Sequence, residues 1–319
     1  MKSIEEVMAY YQESIYPTVQ ELEANRKVMV KKLKMLIALC IGVTLLIMGL
    51  IHYLFGLNLF VIILFTILAL FAYGIGYIYI AGDYTDSFKD KVLAKIITYL
   101  DPNLSFEKKQ KFPSQEYLTS NLFAKNYNGY KGNDLITGTI DKTNIAFSDL
   151  YVYHITKDSK GHTSESRIFQ GIYFMADFNK HFEGELYVVP DIAQSKFGLV
   201  GTMMQKMYKR YGDLMELDNP TFEKAFAVYG SDPIMARYIL THSMMERILE
   251  FKAQVDVDIY LSFIEGKIYI AIYYGFDQFE PNAYRSLDDL ETIKKYVEVL
   301  ISVIGISEQL KLNDRLWSK

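Results

Sequence analysis

The chain has a single cysteine and five histidines in 319 residues, which leaves few side chains for disulfides or a metal centre. Cys40 has no partner for an intramolecular disulfide, and this suits a protein in a reducing compartment. A metal site needs three or four ligands at defined spacing, and no cluster of His and Cys supplies them. The sequence therefore predicts no disulfide, no metal ion and no cofactor.

The motifs of common catalytic sites are also missing. The sequence contains no GxSxG elbow, no GxxxxGK[ST] loop, no HExxH pair, and no GxGxxG after a strand. Its net charge of −4 argues against nucleic acid as a partner. We therefore expect a protein that is not an enzyme and does not bind nucleic acid. A membrane-associated enzyme whose site forms only on folding is the least favoured alternative.

Charged residues are absent from two long apolar runs, Met35 to Phe55 and Leu57 to Ala81. At about 1.5 Å of rise per residue, each run is long enough as a helix to cross the roughly 30 Å hydrocarbon core of a bilayer. Buried soluble helices rarely lack a polar face altogether, and a signal peptide would not begin after 34 mostly polar residues. Residues 35–82 are therefore predicted to form a transmembrane hairpin with its turn near Gly56 and Asn58.

The cations around the hairpin predict its orientation. The turn has no cation. Five cations lie just before the first span, namely Arg26, Lys27, Lys31, Lys32 and Lys34, and three follow the second span, namely Lys89, Lys91 and Lys95. The positive-inside rule then places both termini in the cytoplasm. The cluster from Arg26 to Lys34 also suggests, as a smaller possibility, recognition of anionic lipid.

Residues 1–34 are predicted to form an amphipathic helix, with Ser3 and Glu6 at capping-box spacing. Apolar residues recur every seven positions, at Met8, Ile15, Leu22 and Met29. The pattern favours a helix packed on its own chain. A coiled-coil seam to another copy or to a partner is the alternative, for which the stripe is short.

Small residues inside the spans suggest where the two helices pack. Ala72 and Gly76 are four residues apart, and Gly42 and Gly49 are seven apart. His52, beside Tyr53 near the turn, is expected at the membrane interface rather than in a proton relay.

Residues 83–319 are predicted to form a cytosolic α+β domain of antiparallel sheet with packed helices, undivided or split into two lobes near Gly212. The strands are expected at residues 135–140, 144–155, 166–176, 185–189, 221–229, 257–264 and 267–274, and the helices at 85–100, 114–123, 199–211, from Pro233, 241–252 and 286–312. Residues 104–113 are expected to be a loop. The third strand, with apolar residues on both faces, is expected at the centre of the sheet.

Candidate chemistry is sparse. Asp177 and His181 follow the central strand and are the best pair for a metal or a shared proton, but a polar turn is the favoured interpretation. The other histidines of the domain, His154, His162 and His242, are dispersed. Met203 to Gly212 combines methionines and aromatics with basic residues, which suits either a partner groove or, by preference, core packing.

Several stretches resemble the bacterial DUF3137 family, a domain of unknown function. They are DLITGTI (Asp134 to Ile140), IFQGIYFMADFNKHFEG (Ile168 to Gly184), VVPD (Val188 to Asp191), DNPTFEKAFAVYGSDPIMARYIL (Asp218 to Leu240), LSFIEGKIYIAI (Leu261 to Ile272) and LNDRLW (Leu312 to Trp317). The resemblance spans nearly the whole chain. It implies an N-terminal helix, two close spans and a cytosolic domain, and it brings no known catalytic residue.

We therefore expect a non-enzymatic inner-membrane protein whose cytosolic domain binds a protein partner or assembles a membrane complex. The bilayer is one predicted partner, and a protein or a second copy binding through the N-terminal helix is another. The alternative is a sensor of anionic lipid or of a small ligand at the membrane surface.

Overall fold

The computed structural model describes residues 2–56, 59–123, 126–180, 182–191 and 211–312. Contacts within the chain divide it into two compact units. The sheet unit comprises residues 1–7, 97–279 and 295–319, and the helical unit comprises residues 8–96 and 280–294. The fold is α+β with an antiparallel sheet, as the sequence predicted.

The N-terminal part of the chain forms two long helical segments. α1 (Ile4–Tyr10), a π-helical turn (Tyr11–Ile15) and α2 (Tyr16–Phe55) follow one another without a break. After a short turn, α3 (Leu59–Phe88) continues through a second π-helical turn (Lys89–Leu93) into α4 (Ala94–Leu100). The first π-helical turn lies just before Pro17, whose nitrogen has no hydrogen to donate, so the helix accommodates the proline instead of ending there.

The start of the N-terminal helix has the predicted capping box. The Ser3 amide donates to Glu6 Oε2 at 2.7 Å, and the Glu6 amide donates to Ser3 Oγ at 3.2 Å. Ile15, Leu22 and Met29 of the heptad stripe are buried within the chain. Their burial supports the interpretation of an amphipathic helix packed on its own chain.

The sheet unit contains one nine-stranded antiparallel sheet, in the order β1-β2-β3-β4-β9-β8-β5-β7-β6. Its strands are β1 (Leu104–Glu107), β2 (Gly129–Ile140), β3 (Thr143–Lys157), β4 (Thr163–Asp177), β5 (Glu185–Pro190), β6 (Asp213–Met215), β7 (Phe226–Gly230), β8 (Asp258–Ile264) and β9 (Lys267–Tyr273). The hairpin of β8 and β9 turns at Glu265 and Gly266, as predicted, and both residues have positive φ.

The C-terminal half of β4 lies between β3 and β9, and from Phe169 to Ala176 the strand is buried or half-buried on both faces. Phe169 and Tyr173 point to one side while Ile172 and Phe174 point to the other, and all four are fully buried. The prediction of a central strand covered on each face is therefore confirmed.

One face of the sheet packs a core that is rich in tyrosine. The Tyr173 ring lies 5.1 Å from Phe112, 5.2 Å from Tyr117 and 5.5 Å from Phe169, measured between centroids. A buried tyrosine must satisfy its hydroxyl, and that of Tyr173 hydrogen-bonds to Ser120 Oγ. The core is therefore held by aromatic packing together with specific polar contacts.

Among the residues described after α4, two helices are long and the others are short. They are α5 (Ser114–Thr119), α6 (Pro220–Ala225), α7 (Pro233–Ile239), α8 (His242–Val255), α9 (Leu290–Ile304) and α10 (Ile306–Gln309). Asp232 and Thr241 cap α7 and α8 as predicted, each accepting a hydrogen bond from a backbone amide of its helix.

Three sequence predictions differ from the structure. Residues 104–107, expected in a loop, form the edge strand β1. Thr221 to Ala225, expected in a strand, are helical because Asn219 caps the helix and Pro220 begins it. The helix expected over 286–312 begins at Leu290 and is broken at Gly305. The helix expected over 199–211 lies almost entirely outside the described residues.

Candidate functional site

The most prominent functional surface is the apolar exterior of α2 and α3. Both helices are long and apolar enough to cross a membrane. In each helix, no residue of the most apolar stretch is buried within the protein. Leu46 and Phe60 are 72% and 70% exposed, and Ile78 is 73% exposed. A water-soluble protein rarely exposes so large an apolar surface, so this surface is suited to lipid.

Two threonines within the spans are satisfied by their own helices. Thr44 Oγ1 donates to the Cys40 carbonyl at 2.7 Å, and Thr66 Oγ1 donates to the Ile62 carbonyl at 2.8 Å. In hydrocarbon an unsatisfied polar group would be costly, and these bonds remove that cost. His52 lies near the turn, beside the exposed Tyr53.

The two spans approach closely at Gly76. A Cβ atom added there would lie 2.4 Å from Leu36 Cδ2, so only glycine fits without moving that side chain. A Cβ atom added at Gly42 or Gly49 would meet no described atom within 4 Å, so neither glycine packs against the other span. Of these three glycines singled out in the sequence, Gly76 is the one at a close contact between the spans.

A cleft of about 420 Å³ lies between α2 and α3, beside the start of the first charge-free run and the end of the second. This base cleft is lined by four polar side chains and by six others that are apolar or aromatic: Asn25, Lys32, Asp83, Ser87, Leu22, Val28, Met29, Tyr79, Ile80 and Tyr84. Asn25 and Lys32 are seven residues apart on α2, and Asp83 and Ser87 are four apart on α3, so each pair shares one helical face. Lys32 is part of the basic cluster seen in the sequence, whereas Asn25, Asp83 and Ser87 belong to no motif that the sequence shows.

A buried ion pair stabilises the helical unit near this cleft. Glu23 accepts hydrogen bonds from Arg26 Nε and Nη2, both at 2.7 Å, and one from the Leu287 amide at 3.1 Å. Arg26 Nη1 donates to the Ala283 carbonyl at 3.0 Å. The hydrogen bonds from Arg26 lower the pKa of Glu23 to about 2. The pair therefore holds the segment 280–294 against α2.

Lys89 makes a second buried contact to the same segment. Its Nζ lies 2.7 Å from Glu280 Oε1, and its own side chain is almost fully buried. Arg26 and Lys89 were both counted as membrane-orienting cations, but each has a structural partner. The exposed cations that remain before the first apolar run include Lys27, Lys31 and Lys34.

The sheet unit contains a buried carboxylate group that sequence analysis did not identify. Asp149 lies in β3 opposite Asn133 of β2, and its Oδ2 accepts a hydrogen bond from the Gln278 amide at 3.2 Å. Burial, followed by the nearby charges of Asp277 and Asp134, raises the pKa of Asp149 well above its ordinary value. Asp149 lines a small cavity of about 300 Å³. The arrangement favours a proton on this carboxyl group.

The pair singled out after the central strand is only partly described. Asp177 Oδ2 accepts a hydrogen bond from Asn144 Nδ2 at 2.7 Å, and Asn179 Nδ2 donates to the Leu312 carbonyl at 3.2 Å. These contacts agree with the interpretation of a polar turn. His181 lies outside the described residues, as does most of Met203 to Gly212.

The dispersed histidines that the structure describes do not converge. His162 Nδ1 lies 2.9 Å from Asp158 Oδ2 in the exposed turn of its hairpin, and His242 Nε2 lies 3.1 Å from Glu246 on α8. His154 is on β3. Each of these two contacts joins a histidine to a carboxylate within four residues of it, which is local surface chemistry.

The comparisons with known proteins concern the C-terminal part of the chain. The family described as "Protein of unknown function (DUF3137)" matches residues 167–312. No curated protein and no solved structure matches the chain. Asp134 to Ile140 precedes the matched range, so the match is shorter than the resemblance seen in the sequence. The matched range contains most of β4 and all of β5 to β9, and over residues 167–312 the match agrees with the family that the sequence predicted.

Proposed function

We propose that this is a non-enzymatic, two-pass protein of the bacterial inner membrane whose cytosolic α+β domain binds a protein partner. The observation that carries the proposal is the exposed apolar surface of α2 and α3, whose most apolar windows have no cover within the protein. Two helices joined by a short turn satisfy nearly all their backbone groups in hydrocarbon, so lipid is a suitable cover for them.

The cation distribution supports a cytoplasmic location for both termini. Exposed lysines lie before the first span and after the second, including Lys31, Lys34 and Lys95, while Gly56 is the only described residue of the turn. In the sequence, the residues between the two apolar runs carry no charge. The positive-inside rule then favours a turn on the far side of the membrane.

Binding, rather than catalysis, is supported by the chemistry available in the sheet domain. The sequence contains none of the common catalytic motifs, and the described groups that shift the pKa of Asp149 are the carboxyl groups of Asp277 and Asp134 and the backbone amide of Gln278. A domain that is held at the membrane and whose described residues show no such site acts most simply by holding another protein there.

The experiment is chemical cross-linking in native membranes followed by affinity purification of the tagged full chain. One matched control replaces residues 35–82 with an unrelated two-span hairpin, and another keeps only residues 1–96. A specific partner of the cytosolic domain is retained by the hairpin replacement and lost from the short chain. Recovery of no protein above the level of an unrelated membrane-anchored control contradicts the proposal.

A second candidate function, lipid sensing at the membrane surface, is favoured by the base cleft. Its polar residues lie outside the charge-free runs of α2 and α3. Hydrogen exchange of the full chain, reconstituted in vesicles with and without anionic lipid, tests this function, because the conformation of a sensor responds to head-group composition and that of a simple anchor does not.

A further inference from the structure

We propose that the base cleft binds the head group of a phospholipid that carries a primary ammonium, with Lys32 at the phosphate and Asp83 at the ammonium. The inference rests on the proposed function, because it requires α2 and α3 to lie in a bilayer. It goes further by naming the head-group chemistry and the residues that select it.

The first argument is the depth of the two charged residues. Lys32 precedes Met35, the first residue of the apolar run, by three positions, or about 4.5 Å along the helix. Asp83 follows Ala81, the last residue of the second run, by two positions, or about 3 Å. Both side chains therefore lie just beyond the hydrocarbon, in the layer of several ångströms that the head groups occupy.

The second argument is charge. Lys32 and Asp83 line the same cleft and are the two formally charged residues of its lining. Both are exposed, and in the part of the chain that the structure describes neither forms an ion pair. Two opposite charges that share a cavity of about 420 Å³ without contacting each other leave room for a molecule that carries both signs.

A phospholipid head group with a phosphate and a primary ammonium meets this requirement. The phosphate accepts hydrogen bonds from the Lys32 ammonium, and a primary ammonium donates hydrogen bonds to the Asp83 carboxylate. A quaternary ammonium has no hydrogen to donate. An anionic head group without an ammonium can bind Lys32 through its phosphate, but its negative charge is repelled by the Asp83 carboxylate.

The other lining residues fit the remainder of such a lipid. Asn25 and Ser87 offer polar groups beside the charged pair, and neither is hydrogen-bonded through its side chain to another described residue. Val28 and Ile80 are apolar and are suited to the glycerol and the start of an acyl chain. The cleft thus offers both polar and apolar partners, as a phospholipid requires.

The test is native mass spectrometry of the purified full chain. The protein is incubated with an equimolar mixture of dioleoyl phosphatidylethanolamine, phosphatidylcholine and phosphatidylglycerol, which differ only in their head groups. The variants are Asp83→Asn and Lys32→Gln. Their matched controls are Glu13→Gln and Lys31→Gln, which remove exposed charges from residues that do not line the cleft.

We expect the wild-type protein to retain phosphatidylethanolamine about tenfold better than phosphatidylcholine, the scale of one charge-assisted hydrogen bond. Asp83→Asn should abolish that preference, and Lys32→Gln should weaken retention of all three lipids. The two controls should behave as wild type.

Equal retention of the three lipids by the wild type, or an unchanged preference in Asp83→Asn, overturns the inference. Extraction of native membranes with alkaline carbonate separates this outcome from failure of the proposed function. A chain that stays in the membrane but shows no head-group preference contradicts the lipid site alone, whereas a chain released by carbonate contradicts the membrane anchor itself.

Discussion

Replacing Glu23 with glutamine tests how the helical unit holds the segment 280–294. Glu23 is almost fully buried, and it accepts two hydrogen bonds from Arg26 and one from the Leu287 amide. Glutamine keeps the size of the side chain but removes its charge. Arg26 is then left buried without this counter-charge, which is the costly way to break such a pair.

The pKa of Glu23 gives the magnitude. It falls from an ordinary value of 4.5 to about 2, chiefly because of the hydrogen bonds from Arg26. A difference of about 2.5 in pKa corresponds to about 3 kcal/mol of stabilisation of the charged form. Because the folded pKa is lowered, this stabilisation is fully present above pH 4.5 and is lost as the pH falls through about 2.

The assay is hydrogen exchange of the segment 280–294, read by mass spectrometry at neutral pH. If local opening breaks this pair, about 3 kcal/mol speeds exchange in the Glu23→Gln variant by about two orders of magnitude. Lys27→Gln is the control, because Lys27 is 68% exposed and its Nζ lies 3.8 Å from the same carboxylate. An exposed pair contributes about 0–1 kcal/mol. Unchanged exchange in Glu23→Gln, or an equal effect in Lys27→Gln, refutes the reasoning.

Two further predictions concern the sheet unit. Gly171→Ala should destabilise the unit by at least about 2 kcal/mol, because φ at Gly171 is +150° and the new Cβ would lie 2.1 Å from the Ile272 carbonyl oxygen. A thermal unfolding midpoint equal to that of the wild type contradicts this prediction. Asp149→Asn should stabilise the protein increasingly as the pH rises. The pKa of Asp149 is raised in the folded state, so the wild type loses stability as the pH rises from the ordinary pKa of an aspartate towards the raised pKa, and asparagine has no proton to lose. Thermal unfolding at several pH values checks the second prediction, and a stabilisation that does not depend on pH contradicts it.

Hydrophobic patterning was sufficient to predict the elements with strong local signals. The two charge-free runs, the β8–β9 hairpin around Glu265 and Gly266, and the caps at Asp232 and Thr241 are all as predicted. In each case residues that are adjacent in sequence determine the local conformation, through apolar periodicity, turn geometry or a capping hydrogen bond.

Elements decided by distant partners were missed. β1 is a four-residue strand that depends on pairing with β2. The two strands approach closely at Gly138, where an added Cβ atom would lie 2.3 Å from the Asn103 carbonyl oxygen. Nothing local to Leu104 to Glu107 predicts that pairing. The helix at Pro220 was predictable, however, since Asn219 and Pro220 repeat the signal that was correctly interpreted at Asp232 and Pro233.

The candidate site shows the same division. The exposed apolar surface of the hairpin follows directly from the sequence, but the base cleft depends on which faces of α2 and α3 meet. Gly76 fixes one such contact, through its approach to Leu36. The burial of Asp149 was also hidden, since the aspartate sits in a largely apolar strand with nothing nearby in sequence to indicate what surrounds it.

The most direct test of the account is the topology of the hairpin. Cys40 is the only cysteine, so a Cys40→Ala chain accepts single reporter cysteines at Asn58, which lies between the two apolar runs in the sequence, and at Lys157, which is exposed at the end of β3. In intact spheroplasts, a membrane-impermeant maleimide should label Asn58→Cys at once and Lys157→Cys only after lysis. Labelling of Lys157→Cys in intact spheroplasts, or no difference between the two positions, contradicts a hairpin that crosses the membrane with its folded domain in the cytoplasm.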